Sequence, residues 1–203
     1  MERPCGPVQR SHGVITLEDR MRLLRQKPVT IWLTGLSGAG KSTIAFELER
    51  QLLSQGQACY VLDGDNVRHG LASDLGFGQQ DRHENIRRVA HVAQLMNDAG
   101  LIVITALISP MQADRDMARE IIGADNFIET YLSASVDTCA RRDPKGLYAK
   151  ARAGQIQSFT GISAPYEVPV HPELEVDTAR LTPSESVAGI FAHLRQNYLA
   201  VAA

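Results

Sequence analysis

The apolar residues of the chain form short, nearly continuous runs that alternate with stretches of helical spacing. The runs occupy residues 29–33, 58–62, 101–108, 127–132 and, more weakly, 174–176. Runs of this length are typical of strands that are buried on both faces of a parallel sheet. The alternation therefore predicts an α/β fold of three layers, in which a parallel sheet of about five strands carries helices on both faces.

The stretches between the runs have the spacing of amphipathic helices and carry helix-end residues. Helices are predicted from residue 16 to 24, over residues 41–55, 81–98 and 110–122, up to residue 142, and from residue 184 onwards. Thr16 and Asp19 are predicted to form a capping box, and Gly56 and Gly100 are predicted to end their helices. Residues 65–80 lack such a pattern, so an irregular polar connection is predicted there.

The first apolar run leads directly into the sequence GLSGAGKST at residues 35–43, which matches the pattern G-x-x-x-x-G-K-[ST]. Glycines let the backbone turn tightly, so that successive N–H groups point at phosphate oxygens, and the following helix adds its positive N-terminal end. The predicted phosphate contacts are Gly35, Leu36, Ser37, Gly38, Ala39, Gly40, Lys41, Ser42 and Thr43. Lys41 is predicted to reach the β and γ phosphates and Ser42 to bind Mg²⁺. The motif therefore predicts a site for a nucleoside triphosphate.

Composition and charge narrow the class of protein. The chain has 203 residues and a formal net charge of -2, so no overall field favours nucleic acid or an acidic membrane. Its length suits one globular domain that follows an N-terminal segment, residues 1–27. Cys5, Cys59 and Cys139 are too widely spaced for a disulfide framework or a metal cluster. The first residues contain no apolar signal region, and a cytoplasmic protein is predicted.

In a parallel α/β sheet, ligands bind beyond the carboxyl ends of the strands, so the residues that follow the runs matter most. Asp63 is predicted to orient or deprotonate an acceptor hydroxyl, or to hold Mg²⁺ through water, whereas Asp65 is better placed to cap the next helix. Ser109 has two interpretations, a hydrogen bond to substrate or the N-cap of a helix that begins at Pro110. The third run is not followed by the acidic residue that many nucleotide hydrolases use for Mg²⁺, which argues against a GTPase or a motor protein.

Three polar residues near the predicted phosphate loop suggest a second anion site. Arg82 and Asn85 lie on one face of the helix predicted over residues 81–98, and Arg68 lies in the connection before it. Two cations near the loop, in a chain that is acidic overall, suit the recognition of an anionic acceptor. Arg87 and Arg88 are interpreted instead as part of a solvated helix face.

Two aromatic residues lie in polar, Gly-rich stretches, where a core position is less expected. Phe77 and Phe159 each either stack on a planar base or pack under a loop. Residues 143–172 are rich in Pro and Gly and contain several basic residues. This stretch is predicted to cover a substrate, with residues 143–163 as the lid segment.

Taken together, these segments resemble the adenylyl-sulfate kinase (APS kinase) family. The resemblance extends over residues 12–198 and is carried, in order, by GLSGAGKST (35–43), LDGDNVRHGL (62–71), DLGF (74–77), DRHENIRRVA (81–90), ISP (108–110), DPKGLYAKARAG (143–154) and FTGISAPYE (159–167). It implies a P-loop NTPase-type fold with residues 28–203 as the kinase domain. It also implies transfer of phosphate from ATP, with Mg²⁺, to the 3′-hydroxyl of adenosine 5′-phosphosulfate, which gives 3′-phosphoadenosine 5′-phosphosulfate.

The resemblance implies roles for individual residues. By this resemblance, Asp63 matches the position of the family's base beside the 3′-hydroxyl, and Lys41 and Ser109 are further catalytic residues. The implied substrate contacts are Asp65, Arg68, Phe77, Arg82, Asn85, Ile108, Ser109, Lys145, Ser158 and Phe159. The two phenylalanines would lie on either side of the substrate adenine. For Ser109 the resemblance leaves two roles open, that of a phosphoserine intermediate and that of a substrate contact. Direct in-line transfer is preferred here, because the phosphate loop, Mg²⁺ and a positioned hydroxyl suffice.

The resemblance further implies a homodimer and functional coupling to an ATP sulfurylase, with no nucleic-acid or membrane partner. The chain departs from the family pattern at Leu107, Met111, Gln112 and Ala149, none of which belongs to the phosphate loop or replaces the predicted base. Activity is therefore expected to survive. Two alternatives stay open: another small-molecule kinase, such as a nucleoside monophosphate or gluconate kinase, and a catalytically silent nucleotide-binding protein.

Overall fold

Five parallel strands form the central sheet of the computed structural model, which describes residues 13–199. In chain order they are β1 (Thr30–Thr34), β2 (Cys59–Asp63), β3 (Ile102–Ala106), β4 (Phe127–Ser133) and β5 (Leu174–Asp177). Their order across the sheet is β2-β3-β1-β4-β5, and every neighbouring pair is parallel. The α/β class and the parallel sheet predicted from the apolar runs are thus confirmed. Cys5 lies outside the described residues.

Helices cover both faces of the sheet. They are α1 (Leu17–Leu24), α2 (Lys41–Ser54), α3 (Gly64–Arg68), α4 (Gln79–Asp98), α5 (Gln112–Ile122), α6 (Val136–Arg142), α7 (Leu147–Arg152) and α8 (Pro183–Asn197). One core lies between the sheet and helices α2 and α8, and a second lies between the sheet and helices α4 and α5. Within residues 13–199, no helix is both long enough and apolar enough to cross a membrane.

The predicted helix ends agree well with the structure because their signals are local. Thr16 and Asp19 form the expected capping box at the start of α1. Gly100 follows α4 with a φ of +88°, and a Cβ there would lie 2.9 Å from Leu24 of α1. A side chain at this position would therefore be strained by its backbone conformation and would also collide with α1.

Three predictions are wrong in detail. An irregular connection was predicted over residues 65–80, but its first residues belong to the short helix α3 (Gly64–Arg68), because the carboxylate of Asp63 accepts hydrogen bonds from N–H groups of its first turn. Strand β2 was expected to be buried, but it is an edge strand in which Tyr60 is 53% exposed. Helix α5 begins at Gln112 and not at Pro110, so Ser109 is not its N-cap.

A buried ion pair joins α5 to the sheet. Arg115 is 1% exposed, and its Nε lies 2.6 Å from a carboxylate oxygen of Glu129 on β4. The same guanidinium donates to the carbonyl oxygens of Ser109 and Glu167, each at 2.8 Å, and to the side chain of Gln112 at 2.6 Å. One side chain therefore fixes the end of β3, the start of α5 and the chain beyond the lid segment relative to the sheet.

Arg115→Ala is expected to lower the free energy of unfolding by about 3–5 kcal/mol, because the buried Glu129 would lose its hydrogen-bonded partner and keep only the more distant Arg119, at 3.8 Å. Urea unfolding at neutral pH measures this loss. Arg22→Ala is the control, since Arg22 is exposed and lies 3.6 Å from Asp19, and it should change stability by less than about 1 kcal/mol. Equal losses in the two variants would contradict the assignment.

Candidate functional site

The predicted phosphate loop connects β1 to α2 and is built on glycines that other residues cannot replace. Gly38 and Gly40 have φ values of +79° and +98°. A Cβ on Gly38 would lie 3.0 Å from the carbonyl oxygen of Cys139, and one on Gly35 would lie 2.8 Å from that of Leu132. Tyr148 also supports the loop, because its hydroxyl donates to the Ser37 carbonyl at 2.9 Å. These contacts fix the loop conformation that directs backbone N–H groups to a phosphate.

Lys41 begins α2 and folds back over the loop. Its ammonium donates to the carbonyl oxygens of Gly35 at 3.0 Å and Leu36 at 2.8 Å. Burial lowers the pKa of Lys41 to about 8. The side chain is thus a buried cation with few competing partners, which suits the binding of an anion.

Ser42 and Asp63 bring the loop and the end of β2 together. The Ser42 hydroxyl donates to one carboxylate oxygen of Asp63 at 2.7 Å. The other oxygen accepts from the backbone N–H groups of Asp65 at 3.0 Å and Asn66 at 3.5 Å. Asp63, and not Asp65, is therefore the cap of α3, which corrects the prediction. A hydroxyl and a carboxylate oxygen at this distance are ligands that Mg²⁺ accepts.

Asp65 and Lys145 also lie together. The Lys145 ammonium forms an ion pair with the Asp65 carboxylate, and both side chains are largely exposed. This pair joins the start of the lid segment to α3, two residues after Asp63. An exposed pair of this kind contributes little to stability. Its position next to Asp63 instead makes it relevant to the site.

Arg68, Arg82 and Asn85 lie on the side of the site formed by α3 and α4. Arg82 donates to the carbonyl oxygens of Phe77 and Ser158, each at 2.8 Å, and to the hydroxyl of Thr160 at 2.6 Å. Asn85 is 4% exposed, and its side-chain oxygen has no hydrogen-bond partner among the described residues. A buried amide oxygen without a partner is costly. A ligand that donates a hydrogen bond there would remove that cost.

The two predicted stacking residues differ in their surroundings. Phe77 is 66% exposed, and the Arg68 guanidinium lies 4.5 Å from its ring centroid. Phe159 is 7% exposed and packs edge-on against Tyr148, with the ring centroids 4.9 Å apart. Packing under a loop therefore describes Phe159, whereas Phe77 presents its ring to solvent. Arg82 links the stretches that contain these two residues, because it donates to the carbonyl oxygens of Phe77 and Ser158.

Ser109 and Ile108 form a strained turn after β3. Ser109 has a φ of +38°, which is unusual for a residue with a side chain. Its hydroxyl accepts a hydrogen bond from the indole N–H of Trp32 at 3.1 Å. The Ile108 carbonyl accepts from the hydroxyl of Thr34 at 2.7 Å. Strain held by several partners is typical of functional sites. The substrate contact of Ser109 therefore stays a prediction, whereas its predicted role as a helix cap is wrong.

Sequence reasoning missed several residues that build the site. Trp32 was part of an apolar strand and Tyr148 part of a Gly-rich stretch, and neither position carries a local signal for a hydrogen bond to a distant turn. Arg88 was assigned to a solvated helix face, but its guanidinium donates to both carboxylate oxygens of Asp74, at 2.6 and 2.9 Å. Gln112, which departs from the family pattern, accepts a hydrogen bond from Arg115. The contacts of Trp32, Tyr148 and Arg88 depend on partners that are remote in the chain.

Comparisons with known proteins identify relatives of this chain. A family profile described as Adenylylsulphate kinase matches residues 27–177. The chain is 54% identical over 185 residues to an adenylyl-sulfate kinase of Marinobacter nauticus, covering 91% of this chain and 93% of the relative. It is 56% identical over 174 residues to that of Bacteroides thetaiotaomicron, covering 86% and 87%. The solved Mycobacterium tuberculosis APS kinase CysC in complex with AMPPNP and APS has a TM-score of 0.80 and 47% identity, covering 83% of this chain and 98% of that chain.

The pKa of Lys41 predicts how nucleotide binding depends on pH. The free protein loses the Lys41 proton above a pKa of about 8, whereas bound phosphates would keep the ammonium charged. The affinity for a non-hydrolysable ATP analogue at saturating Mg²⁺ should therefore fall by about tenfold between pH 7 and pH 9. Calorimetric titrations across this range measure the effect. Lys41→Met should bind weakly and without this dependence, and a parallel decline in both proteins would exclude Lys41 as its source.

Proposed function

The chain belongs to the adenylylsulphate kinase family, and we propose that it transfers the γ-phosphoryl group of ATP to the 3′-hydroxyl of adenosine 5′-phosphosulfate. The observation that carries this proposal is the hydrogen bond between Ser42 and Asp63. It joins a phosphate-binding loop, which suits the donor, to a carboxylate at the end of a strand, which suits the acceptor hydroxyl.

The donor half consists of the phosphate loop and Lys41. Backbone N–H groups of the loop bind the phosphates of ATP, and Lys41 exchanges its two carbonyl partners for phosphate oxygens. Ser42 would hold Mg²⁺ directly, and Asp63 would hold it through a bound water. When bound, the ion supplies neutralisation of the charge on the phosphates.

The acceptor half consists of residues from α3, α4 and the lid segment. Arg68 and Arg82 supply cations for the phosphosulfate, and Asn85 supplies a buried carbonyl oxygen that a substrate hydroxyl can satisfy. Phe77 presents an exposed ring on which the adenine can stack. Phe159 is buried and is proposed to form the core side of the adenine pocket. Ile108, Ser109, Lys145 and Ser158 are proposed to complete the pocket, together with Asp65, which pairs with Lys145.

Asp63 is the residue proposed to receive the proton of the 3′-hydroxyl. One of its oxygens is held by the first N–H groups of α3, so the carboxylate has a fixed orientation, and the other accepts a hydrogen bond only from Ser42 among the described residues. Transfer then proceeds directly from ATP to the acceptor. The buried, strained Ser109 already accepts from Trp32, which suits a positioning contact better than a mobile nucleophile.

The remaining parts of the proposal concern the setting of the enzyme. A homodimer, functional coupling to an ATP sulfurylase and a cytoplasmic location stay predictions. The structure of a relative is described as a hexameric APS kinase from Thiobacillus denitrificans, which supports an oligomer of some kind without fixing its size. Both cysteines among the described residues, Cys59 and Cys139, are free thiols.

The direct test incubates the protein with ATP, Mg²⁺ and one acceptor at a time. Adenosine 5′-phosphosulfate should yield the 3′-phosphorylated product, identified by mass spectrometry, whereas gluconate and nucleoside monophosphates should not be phosphorylated. Turnover of another acceptor with none of the phosphosulfate would replace the proposal with a different kinase. Nucleotide binding without any turnover would support the catalytically silent alternative.

Asp63→Asn separates the chemical role of Asp63 from its structural role, because asparagine also caps helices well. The variant should fold normally and bind ATP. Its kcat should fall by about 10²–10⁴-fold, the usual contribution of a general base. Steady-state kinetics with both substrates measure this loss. A kcat close to that of the wild type would remove Asp63 from the proton transfer.

A further inference from the structure

The loop between α3 and α4, residues 69–78 (the Phe77 loop), carries the exposed aromatic ring of the acceptor half. The backbone hydrogen bonds that its amides donate are all short-range, such as those from Ala72 to Val67 at 2.9 Å and from Leu75 to Ala72 at 3.2 Å. Three glycines, Gly70, Gly76 and Gly78, add freedom to the backbone. The position of the Phe77 ring therefore depends on contacts that come from outside the loop.

Three arginines supply those contacts. Arg68 donates to the carbonyl oxygens of Leu75 and Gly76 at 3.3 and 2.8 Å. Arg82 donates to the carbonyl of Phe77 at 2.8 Å. Arg88 donates to the carbonyl of Leu71 at 3.0 Å and, through two nitrogens, to both carboxylate oxygens of Asp74. The loop is thus held along its whole length by guanidinium groups.

Among the described contacts of these three arginines, only those of Arg88 include hydrogen bonds to carboxylate groups. Its third nitrogen donates to Glu84 at 2.8 Å, so every nitrogen of the guanidinium has an acceptor. The ion pair with Arg88 lowers the pKa of Asp74, as expected for a bidentate contact between charged groups. Arg68 and Arg82, in contrast, donate mainly to carbonyls in the Phe77 loop and the lid segment. A substrate anion can replace these weaker partners.

We propose that Arg88 is a positioning residue, which fixes the Phe77 loop through Leu71 and Asp74 and thereby sets the affinity for the base of the acceptor nucleotide. Arg68 and Arg82 hold the loop only until the phosphosulfate engages them, whereas the Arg88 contacts are available both before and after substrate binds. The effect on acceptor affinity rests on the proposed function. The effect on the loop does not.

Arg87 is a matched control on the same helix. It has the same charge, it is adjacent in the chain, and it also pairs with Glu84, at 2.7 and 2.9 Å. Within residues 13–199, its side-chain hydrogen bonds go to Glu84 alone. Arg87→Lys and Arg88→Lys therefore make the same chemical change, and only the second removes the bidentate contact with the loop.

Hydrogen exchange of backbone amides measures the effect on the loop. Arg88→Lys should raise exchange of the amides in residues 71–77 by about tenfold, because two charge-assisted hydrogen bonds are reduced to one point contact. Exchange in α2 and β3 should not change, which excludes general destabilisation. Arg87→Lys should resemble the wild type. Equal exchange in the two variants would overturn the proposal.

Kinetics measure the effect on the acceptor. Arg88→Lys should raise KM for adenosine 5′-phosphosulfate by about tenfold, with kcat within about twofold and KM for ATP unchanged. Asp74→Ala, at an exposed position, should reproduce this change, and the double variant should be no worse than either single one. Faster exchange with an unchanged acceptor KM would overturn the link to affinity.

The two proposals fail in distinguishable ways. A wild-type protein that does not phosphorylate adenosine 5′-phosphosulfate would contradict the proposed function, while the comparison of exchange in Arg88→Lys and Arg87→Lys would still decide whether Arg88 fixes the loop. An active wild type with no difference between these two variants would leave the function intact and remove the role of Arg88.

Discussion

The guanidinium of Arg115 is the contact on which the arrangement of the site depends. It lies in the core and bonds Glu129 of β4, the carbonyl of Ser109 and the carbonyl of Glu167. Removing such a charge from water is costly unless all of its donors find acceptors. Here each of its three nitrogens has an acceptor, so the strained turn after β3 and the chain beyond the lid segment are fixed together. The acceptor side is consequently built on a buried network and not on flexible loops alone.

The lid segment is anchored near both of its ends. Lys145 pairs with Asp65, and Tyr148 donates to the phosphate loop at Ser37. Beyond the segment, the Tyr166 hydroxyl lies 3.0 Å from that of Thr34 on β1. Phe159 lies between these anchors and packs into the core. Its neighbours Ser158 and Thr160 accept hydrogen bonds from Arg82. They can thus move together with Arg82 without displacement of the whole lid segment.

Strands, helix ends and the phosphate loop were predictable because their signals are local: apolar runs, capping boxes and glycines at fixed spacing. The roles of Arg88, Trp32 and Tyr148 were not, because each depends on a partner that only the fold brings close. The start of α5 shows the same limit. Pro110 favours a helix start, but Arg115 and Trp32 hold Ser109 in a strained turn, and the helix begins two residues later.

A structural and a chemical role are alternatives for a residue when only the sequence is considered, whereas the structure allows one side chain to have both. One oxygen of Asp63 caps α3 and the other faces Ser42, so the cap orients the carboxylate for its proposed chemistry. Arg82 holds the Phe77 loop and the lid segment through their carbonyls. A substrate that draws Arg82 away must compete with these contacts, and it can shift the loop only by its differential affinity for the two arrangements. If Arg82 binds the acceptor as proposed, acceptor binding and loop position are therefore thermodynamically coupled through this side chain.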